Sequence, residues 1–304
     1  MRNRPDCLAV GLSPAIQKTL IFDVFNQGEV NRSLHYHTDA AGKCVNVCRV
    51  LTQGGMDASC LTVAGRENRG EFEALCKRDS LELVTVETSG RVRICTTIVE
   101  MANNRTSEIV ANEPEIITSE EEISFRSTFL ELLSNGFRSV LISGSKFPGF
   151  SDEIIPFMVK EIKNFKVLLF ADYRGVDLKN SFISEEIRPD YIKINEEEFF
   201  ETFGFFSSLE EGLKEISSKY KSVFVISRGA LSTLVADEGQ LFEVESEMIK
   251  AVNPIGCGDS MTAGLAQGIL EGLSLKEAVE LGRDYATRNA LSIHPGWILE
   301  KNNG

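Results

Sequence analysis

Asn253-Pro254-Ile255-Gly256-Cys257-Gly258-Asp259-Ser260-Met261-Thr262-Ala263-Gly264 sets a glycine-rich turn and a single acid at the head of a segment of small residues. Glycines let backbone amides come close to a ligand, and the unpaired amides of a helix N-terminus attract anions. A bound phosphoryl group would repel a carboxylate at that place. Asp259 makes chemical sense there as a general base that takes the proton of an attacking hydroxyl, with the amides of Gly256, Cys257 and Gly258 stabilising the transferring phosphoryl group. The same residues also suit a plain turn with Asp259 as an N-capping acid. Two other phosphate motifs fail. A dinucleotide fingerprint needs a third glycine where Met261 stands, and a P-loop around Gly42-Lys43 needs a glycine and a hydroxyl residue where His37 and Cys44 stand.

The chain has 304 residues, 42% hydrophobic and 25% charged, enough to bury a large core, and no linker or repeat divides it, so a single domain over 1–304 is expected. Its 32 Lys and Arg against 45 Asp and Glu give a net charge of −13, which argues against nucleic acid or an anionic membrane as partner and leaves room for a local basic pocket with a small-molecule substrate. Seven cysteines without C-x-x-C spacing indicate neither a disulfide framework nor a zinc site, and a reducing cytoplasm is the expected location. Cys44 and Cys48, one helical turn apart, read as a buried helix face. Cys7–Leu12 is too short for a signal sequence, and no stretch approaches a membrane span.

Short apolar runs at 7–12, 60–63, 139–142, 167–171, 191–194 and 223–226 alternate with amphipathic segments near 44–53, 68–79, 119–135, 151–164, 208–219, 258–271 and 275–292. That alternation predicts a largely parallel sheet covered on both faces, with ligands at the carboxyl ends of the strands. Two strand-like segments, 18–25 and 91–100, have no helix after them. In the second, Val92, Ile94 and Ile98 alternate with Arg91, Arg93, Cys95 and Thr97, so one face is apolar and the other is free to meet a ligand. They read as a small accessory sheet, a lid. Apolar groups on both faces of the first, at Leu20, Ile21, Phe22, Val24 and Phe25, predict pairing with a second copy in a homodimer.

Taken with the Gly-Cys-Gly-Asp turn, Ala41-Gly42-Lys43-Cys44-Val45-Asn46-Val47 and Ser143-Gly144-Ser145-Lys146-Phe147-Pro148-Gly149 resemble the PfkB family of the ribokinase-like fold, and within it the 1-phosphofructokinase and tagatose-6-phosphate kinase branch. Ser13-Pro14-Ala15-Ile16, Gly28-Glu29-Val30-Asn31-Arg32, Arg91-Val92-Arg93, Lys193-Ile194-Asn195-Glu196-Glu197-Glu198 and Ser227-Arg228-Gly229 follow in family order, so the likeness runs essentially end to end. It implies a three-layer α/β/α domain with a mostly parallel central sheet and a small β-sheet lid inserted at about 17–39 and 91–112. The implied activity is an ATP- and Mg²⁺-dependent kinase with Asp259 as base. Asn195 and Glu198 match the family's N-x-x-E element, which organises Mg²⁺ through water. Lys193, Ser227, Gly229 and Asn289 fall on the nucleotide side. Gly42, Lys43, Asn46 and Ser145 would hold the sugar, and Arg93 its distal phosphate, with Arg32 as a helper. His35 and His37 read as lid surface.

The departures from the family pattern lie on the substrate side. Gln17 stands where an Asp usually bonds sugar hydroxyls, Cys44 replaces the second glycine of G-K-G, Cys95 an Asn, and Lys146 a common Leu. Exchanging a carboxylate for a neutral amide shifts specificity by about 1 kcal/mol or more. The acceptor therefore stays open among a ketohexose phosphate such as fructose 1-phosphate or tagatose 6-phosphate, and an unphosphorylated sugar or nucleoside. A regulator that binds nucleotide without catalysis is disfavoured by the retained Asp259. At Cys257 the helix dipole favours a reactive thiolate while Asp259 opposes it.

Overall fold

The structure is a computed structural model describing residues 5–110, 116–246 and 249–298. Seven strands run parallel in the order β5 (Glu82–Thr88), β4 (Ala58–Gly65), β1 (Cys7–Leu12), β8 (Ser139–Lys146), β9 (Leu168–Asp172), β10 (Tyr191–Asn195) and β11 (Val223–Ser227). The antiparallel hairpin β12 (Thr233–Asp237) and β13 (Gln240–Val244) finishes the β11 edge. β1 is buried along its whole length, the mark of a strand covered on both faces. Its residues alternate accordingly: Leu8 and Val10 join one apolar layer with α3 (Ser119–Ser134), α4 (Ile154–Asn164) and α7 (Leu209–Tyr220). Cys7 and Ala9 join the other, with α1 (Lys43–Gln53), α2 (Arg69–Arg78), α8 (Cys257–Glu271) and α9 (Leu275–Ala290). Cys44 and Cys48 lie in this second layer, as their spacing predicts. Two shorter helices, α5 (Gly175–Asn180) and α6 (Glu196–Phe203), follow β9 and β10.

A second sheet, β3 (His35–Ala41), β2 (Ala15–Phe22), β6 (Arg93–Glu100) and β7 (Arg105–Val110), stands over the carboxyl ends of the parallel strands, with Gln17 opposite both Asp39 and Cys95. The small residues after Asp259 bring α8 against α9: a Cβ on Gly264 would meet Gly282 Cα at 2.7 Å, and one on Gly268 would meet Ala278 Cα at 2.7 Å. α8 is thereby fixed along its length, and its first turn is held at the strand ends.

The first lid strand is Ala15–Phe22 rather than 18–25, because the chain leaves β1 through Ser13-Pro14 and starts the new strand at once. Val24 and Phe25 fall outside it, and Ile21 and Phe22 are buried within the protomer, so the two-faced apolar strand behind the dimer expectation is in large part covered by the chain itself. Positions 111 and 112 of the second lid segment lie outside the described residues. Strands β5, β7, β12 and β13 carry no separate expectation from the sequence: exposed residues break the apolar pattern in the edge strands β7 and β13, whereas β12 is an interior strand buried from Thr233 to Ala236. The β12–β13 turn, Glu238-Gly239, has φ of 44° and 82°, the two positive values of a type I′ hairpin, carried by Glu where Asn or Asp would signal it.

Candidate active site

A cavity of about 810 Å³ opens between the lid and the carboxyl ends of the parallel strands. Its wall includes Gly256, Cys257, Gly258 and Asp259 from α8, Gly42, Lys43 and Asn46 from α1, and Lys193, Asn195, Glu198, Ser227 and Gly229 beyond. Gly256 caps α8 in the left-handed region at φ 86°, where a Cβ would stand 2.6 Å from the Gly296 amide. Asn289, expected among nucleotide ligands, is instead fully buried behind this turn and absent from the cavity wall. Its Oδ1 accepts from the Gly296 and Trp297 amides at 2.6 and 3.2 Å, and its Nδ2 donates to the Ile255 carbonyl at 2.8 Å. The side chain thus serves the turn. The Cys257 amide donates to the Pro254 carbonyl at 3.3 Å, so it too is used inside the turn.

Asp259 is only 6% exposed yet faces the cavity, and its Oδ2 accepts from Asn46 Nδ2 at 2.8 Å. Burial pushes its carboxyl up to about 6; the buried Asp172 adds to that, while Lys43, Asn46 and Lys193 restrain it. Lys43 opens α1 after Gly42, whose φ of 105° and whose approach to Pro14, with an added Cβ only 2.9 Å from its Cα, both call for glycine. Its Nζ lies 2.9 Å from Asp172 Oδ1 and 3.9 Å from Glu198 Oε1. Burial works against the ammonium, but Asp172, Asp259 and Glu198 outweigh it and hold its pKa up. Asp172 ends β9, wholly buried, and Ser143 and Thr262 hydroxyls donate to its other oxygen at 3.3 and 3.0 Å. Burial alone would raise its pKa, yet Lys43 and Lys193 bring it down to about 2. The two carboxylates are therefore pushed apart: Asp172 stays anionic, and Asp259 is held up at about 6. Lys193 projects toward the α8 turn, where a Cβ on Gly258 would stand 2.7 Å from its Nζ. An alanine at 258 would displace that ammonium.

Asn195 and Glu198 form a reciprocal cap on α6: Asn195 Oδ1 accepts from the Glu198 amide at 2.8 Å, and Glu198 Oε2 from the Asn195 amide at 2.9 Å. Glu198 Oε1 remains, 3.8 Å from Arg174. Among the described residues no group of three His, Cys, Asp or Glu side chains is disposed to hold a metal. One open carboxylate oxygen suits a Mg²⁺ that keeps most of its waters and takes further oxygens from a phosphate ligand. Beyond Ser227 and Gly229 the wall turns apolar with Ala251, Pro254, Ile255, Ala286 and Ala290, a slot fit for a nucleobase.

Toward the lid, Gln17 is buried and donates from Nε2 to Thr97 Oγ1 at 2.7 Å. Cys95 forms a small apolar floor with Ala15 and Ala41. Arg93 lines this end, and its Nε is buried without a hydrogen-bond partner. Four predicted or noted residues lie elsewhere. Arg32 is exposed on the segment after β2 and off the cavity wall. Ser145 lines a smaller neighbouring cavity of about 500 Å³ that shares Lys43 and Glu198 with the first. Lys146, in that second cavity, is tied to Asp152 and Asp177 at 2.9 and 3.0 Å. His37 packs edge-on against His294 with ring centroids 4.6 Å apart.

At Cys257 the opposition between dipole and carboxylate is settled by burial, which with Asp259 raises the thiol pKa against the help of Asn289 and Lys193. The thiol form is favoured at Cys257 over the thiolate. Asp172 is the site residue that sequence reasoning passed over. Its signal was an acid ending an apolar run at the carboxyl end of a parallel strand, where ligands gather.

The family described as pfkB family carbohydrate kinase matches residues 6–293. Tagatose-6-phosphate kinase of Staphylococcus epidermidis is 26% identical over 298 residues, covering 96% of this chain and 94% of its own. 1-Phosphofructokinase of Vibrio cholerae is 26% identical over 269 residues, covering 87% and 83%. Among solved structures, phosphofructokinase-2 from Escherichia coli in complex with fructose-6-phosphate superposes with a TM-score of 0.82 at 20% identity, over 94% of each chain. A possible 1-phosphofructokinase from Thermotoga maritima gives 0.85 at 20% identity, over 95% and 92%. At that identity the structural likeness speaks to the fold.

Proposed function

Because the chain belongs to the pfkB family of carbohydrate kinases, we propose that it transfers the terminal phosphoryl group of ATP to a hydroxyl of a ketohexose phosphate, of the fructose 1-phosphate or tagatose 6-phosphate kind. The observation that carries the reading is Asp259, pushed up to about 6 on the wall of a cavity it shares with Lys43 and Lys193. A base at that value is ionised at neutral pH and still accepts a proton readily. The acceptor hydroxyl gives its proton to Asp259 as its oxygen attacks. Lys43, Lys193 and the Gly256 and Gly258 amides offset the charge spread over the phosphoryl oxygens. Asp172 fixes Lys43, and the apolar slot past Gly229 takes the base of the nucleotide. Glu198 Oε1, through water, would hold a Mg²⁺ that screens the phosphate charge. Arg93 supplies a cation at the far end, suited to the acceptor's own phosphate.

A second reading draws on the lid floor. Gln17 already donates to Thr97, and Ala15 and Ala41 present no polar side chain, a wall that suits an acceptor with fewer hydroxyls or without a phosphate. ADP production from MgATP separates the two, measured with fructose 1-phosphate, tagatose 6-phosphate and fructose 6-phosphate beside the matching free sugars and nucleosides. The primary reading expects turnover with at least one phosphorylated ketose and a far smaller kcat/KM for its free sugar. Preference for the free compounds in every pair would overturn it.

A further inference from the structure

Among the described residues Arg49 is the largest fully buried side chain, and it stays off the cavity wall. Every nitrogen of its guanidinium is nonetheless engaged. Nε donates to Asp79 Oδ2 at 3.0 Å, an oxygen that also lies 3.0 Å from Nη2, and Nη2 donates to the Ala40 carbonyl. Nη1 donates to Asn46 Oδ1 at 3.0 Å and to the Pro295 carbonyl at 3.2 Å. A guanidinium has donors only, so Asn46 must turn its oxygen toward Arg49. The amide nitrogen then points the other way and meets Asp259 Oδ2. One buried cation thus decides which end of Asn46 the carboxylate sees.

We propose that Arg49 is a positioning residue for the proposed base: it locks Asn46 in the amide orientation that hydrogen-bonds Asp259 Oδ2 and leaves Oδ1 toward the acceptor. The inference rests on the reading of Asp259 as proton acceptor. A flipped Asn46 would set a carbonyl oxygen against the carboxylate, raising its affinity for a proton and freeing it to rotate. Simple ion pairing does not account for Arg49, because Asp79 already has Arg78, whose Nε reaches its Oδ1 at 2.9 Å. The guanidinium also gathers the lid end of β3 through Ala40 and the 294–296 segment through Pro295, so both are held in register with the base. The charged and titratable groups that face Asp259 are Lys43 on α1, Asp172 on β9, Lys193 on β10 and Cys257 on α8; none of them is altered by changing Arg49.

Arg49→Lys keeps the charge and loses the planar fork, so it cannot serve Asp79, Ala40, Asn46 and Pro295 together. The test compares wild type, Arg49→Lys, Asp79→Asn and Asp259→Asn in kcat, KM for MgATP, thermal unfolding and the pH profile of kcat. For Arg49→Lys the expected result is a kcat lower by about tenfold or more, KM for MgATP within about twofold, and an acid limb displaced upward by about one pH unit, the loss of one charge-assisted hydrogen bond. Asp79→Asn, which loosens the guanidinium from the side away from the cavity, should move the limb in the same direction by less. A folded Arg49→Lys whose acid limb stays at the wild-type pH overturns the proposal even if kcat falls, because loss of packing alone lowers kcat without moving the limb. If Arg49→Lys does not fold, an unmoved limb in Asp79→Asn overturns it and an upward shift supports it. Failure of the underlying reading looks different: Asp259→Asn would then keep its turnover.

Discussion

Two glycines of the α8 turn, two positions apart, should fail in opposite ways when changed to alanine. At Gly258 the backbone is helical, and an added Cβ would stand 2.7 Å from Lys193 Nζ, where ordinary contact begins at 3.4 Å. The ammonium must therefore retreat by about 0.7 Å, the difference of those two distances, and its flexible stem lets it do so. Alanine is also favoured over glycine in a helix by about 0.5–1 kcal/mol, so stability should be unchanged or slightly higher. Activity should suffer, since displacement of a charge by nearly 1 Å in a phosphoryl-transfer site costs about tenfold to a hundredfold in kcat/KM. At Gly256 the left-handed backbone alone costs an alanine about 1–2 kcal/mol, and the Cβ also meets the Gly296 amide, a backbone atom that cannot swing away. Gly256→Ala should lose about 2 kcal/mol or more. Urea unfolding followed by circular dichroism, with initial rates at saturating and limiting MgATP, reads both. Wild-type kcat/KM in Gly258→Ala, or a stability loss equal to that of Gly256→Ala, would refute the placement of Lys193 against the turn.

Other expectations follow from the same geometry. With its folded value at about 6 against an ordinary 3.8, Asp259 holds its proton more tightly in the fold than in the unfolded chain. Its effect on stability therefore worsens as pH climbs from about 4 to 6, while activity rises over the upper part of that window; Asp259→Asn should remove the stability dependence in a pH-resolved unfolding series. Arg93→Ala should raise KM for a phosphorylated acceptor with little change in kcat, because that contact is made in ground and transition states alike, and equal sensitivity for a phosphorylated and a free acceptor would contradict it. Cys257, with its thiol pKa raised by burial, should react slowly with maleimide near neutral pH, and Cys257→Ala should keep wild-type turnover; rapid inactivation blocked by MgATP would count against that.

The parts of the site that the sequence displays are those written in one stretch. Gly256-Cys257-Gly258-Asp259 announces a turn, an anion site and a base together, and Lys43 with Asn46 sits in a motif of its own. The parts it hides depend on distant segments meeting. Asp172 is invisible as a partner of Lys43 until β9 and α1 are brought side by side, 129 residues apart in the chain. Asn46 reads as a sugar ligand, and only the buried Arg49 shows that its amide faces Asp259. Asn289 reads as a nucleotide ligand for a similar reason: sequence places it near the site without saying which side of the turn it occupies. The fold follows the same division. Strands buried on both faces are legible as apolar runs, whereas edge strands β5 and β7 show polar sequences because water covers one side of them.

In the proposed mechanism Asp259 takes the acceptor's proton beside a phosphate-binding helix terminus. Turnover of MgATP with the best acceptor from the substrate screen, compared between wild type and Asp259→Asn and paired with nucleotide binding by calorimetry, tests it most directly. Asp259→Asn should bind MgATP with unaltered affinity and show a kcat lower by roughly 10²-fold to 10⁴-fold, the usual range for a lost general base. A variant that binds MgATP normally and turns over within a few-fold of wild type would contradict it.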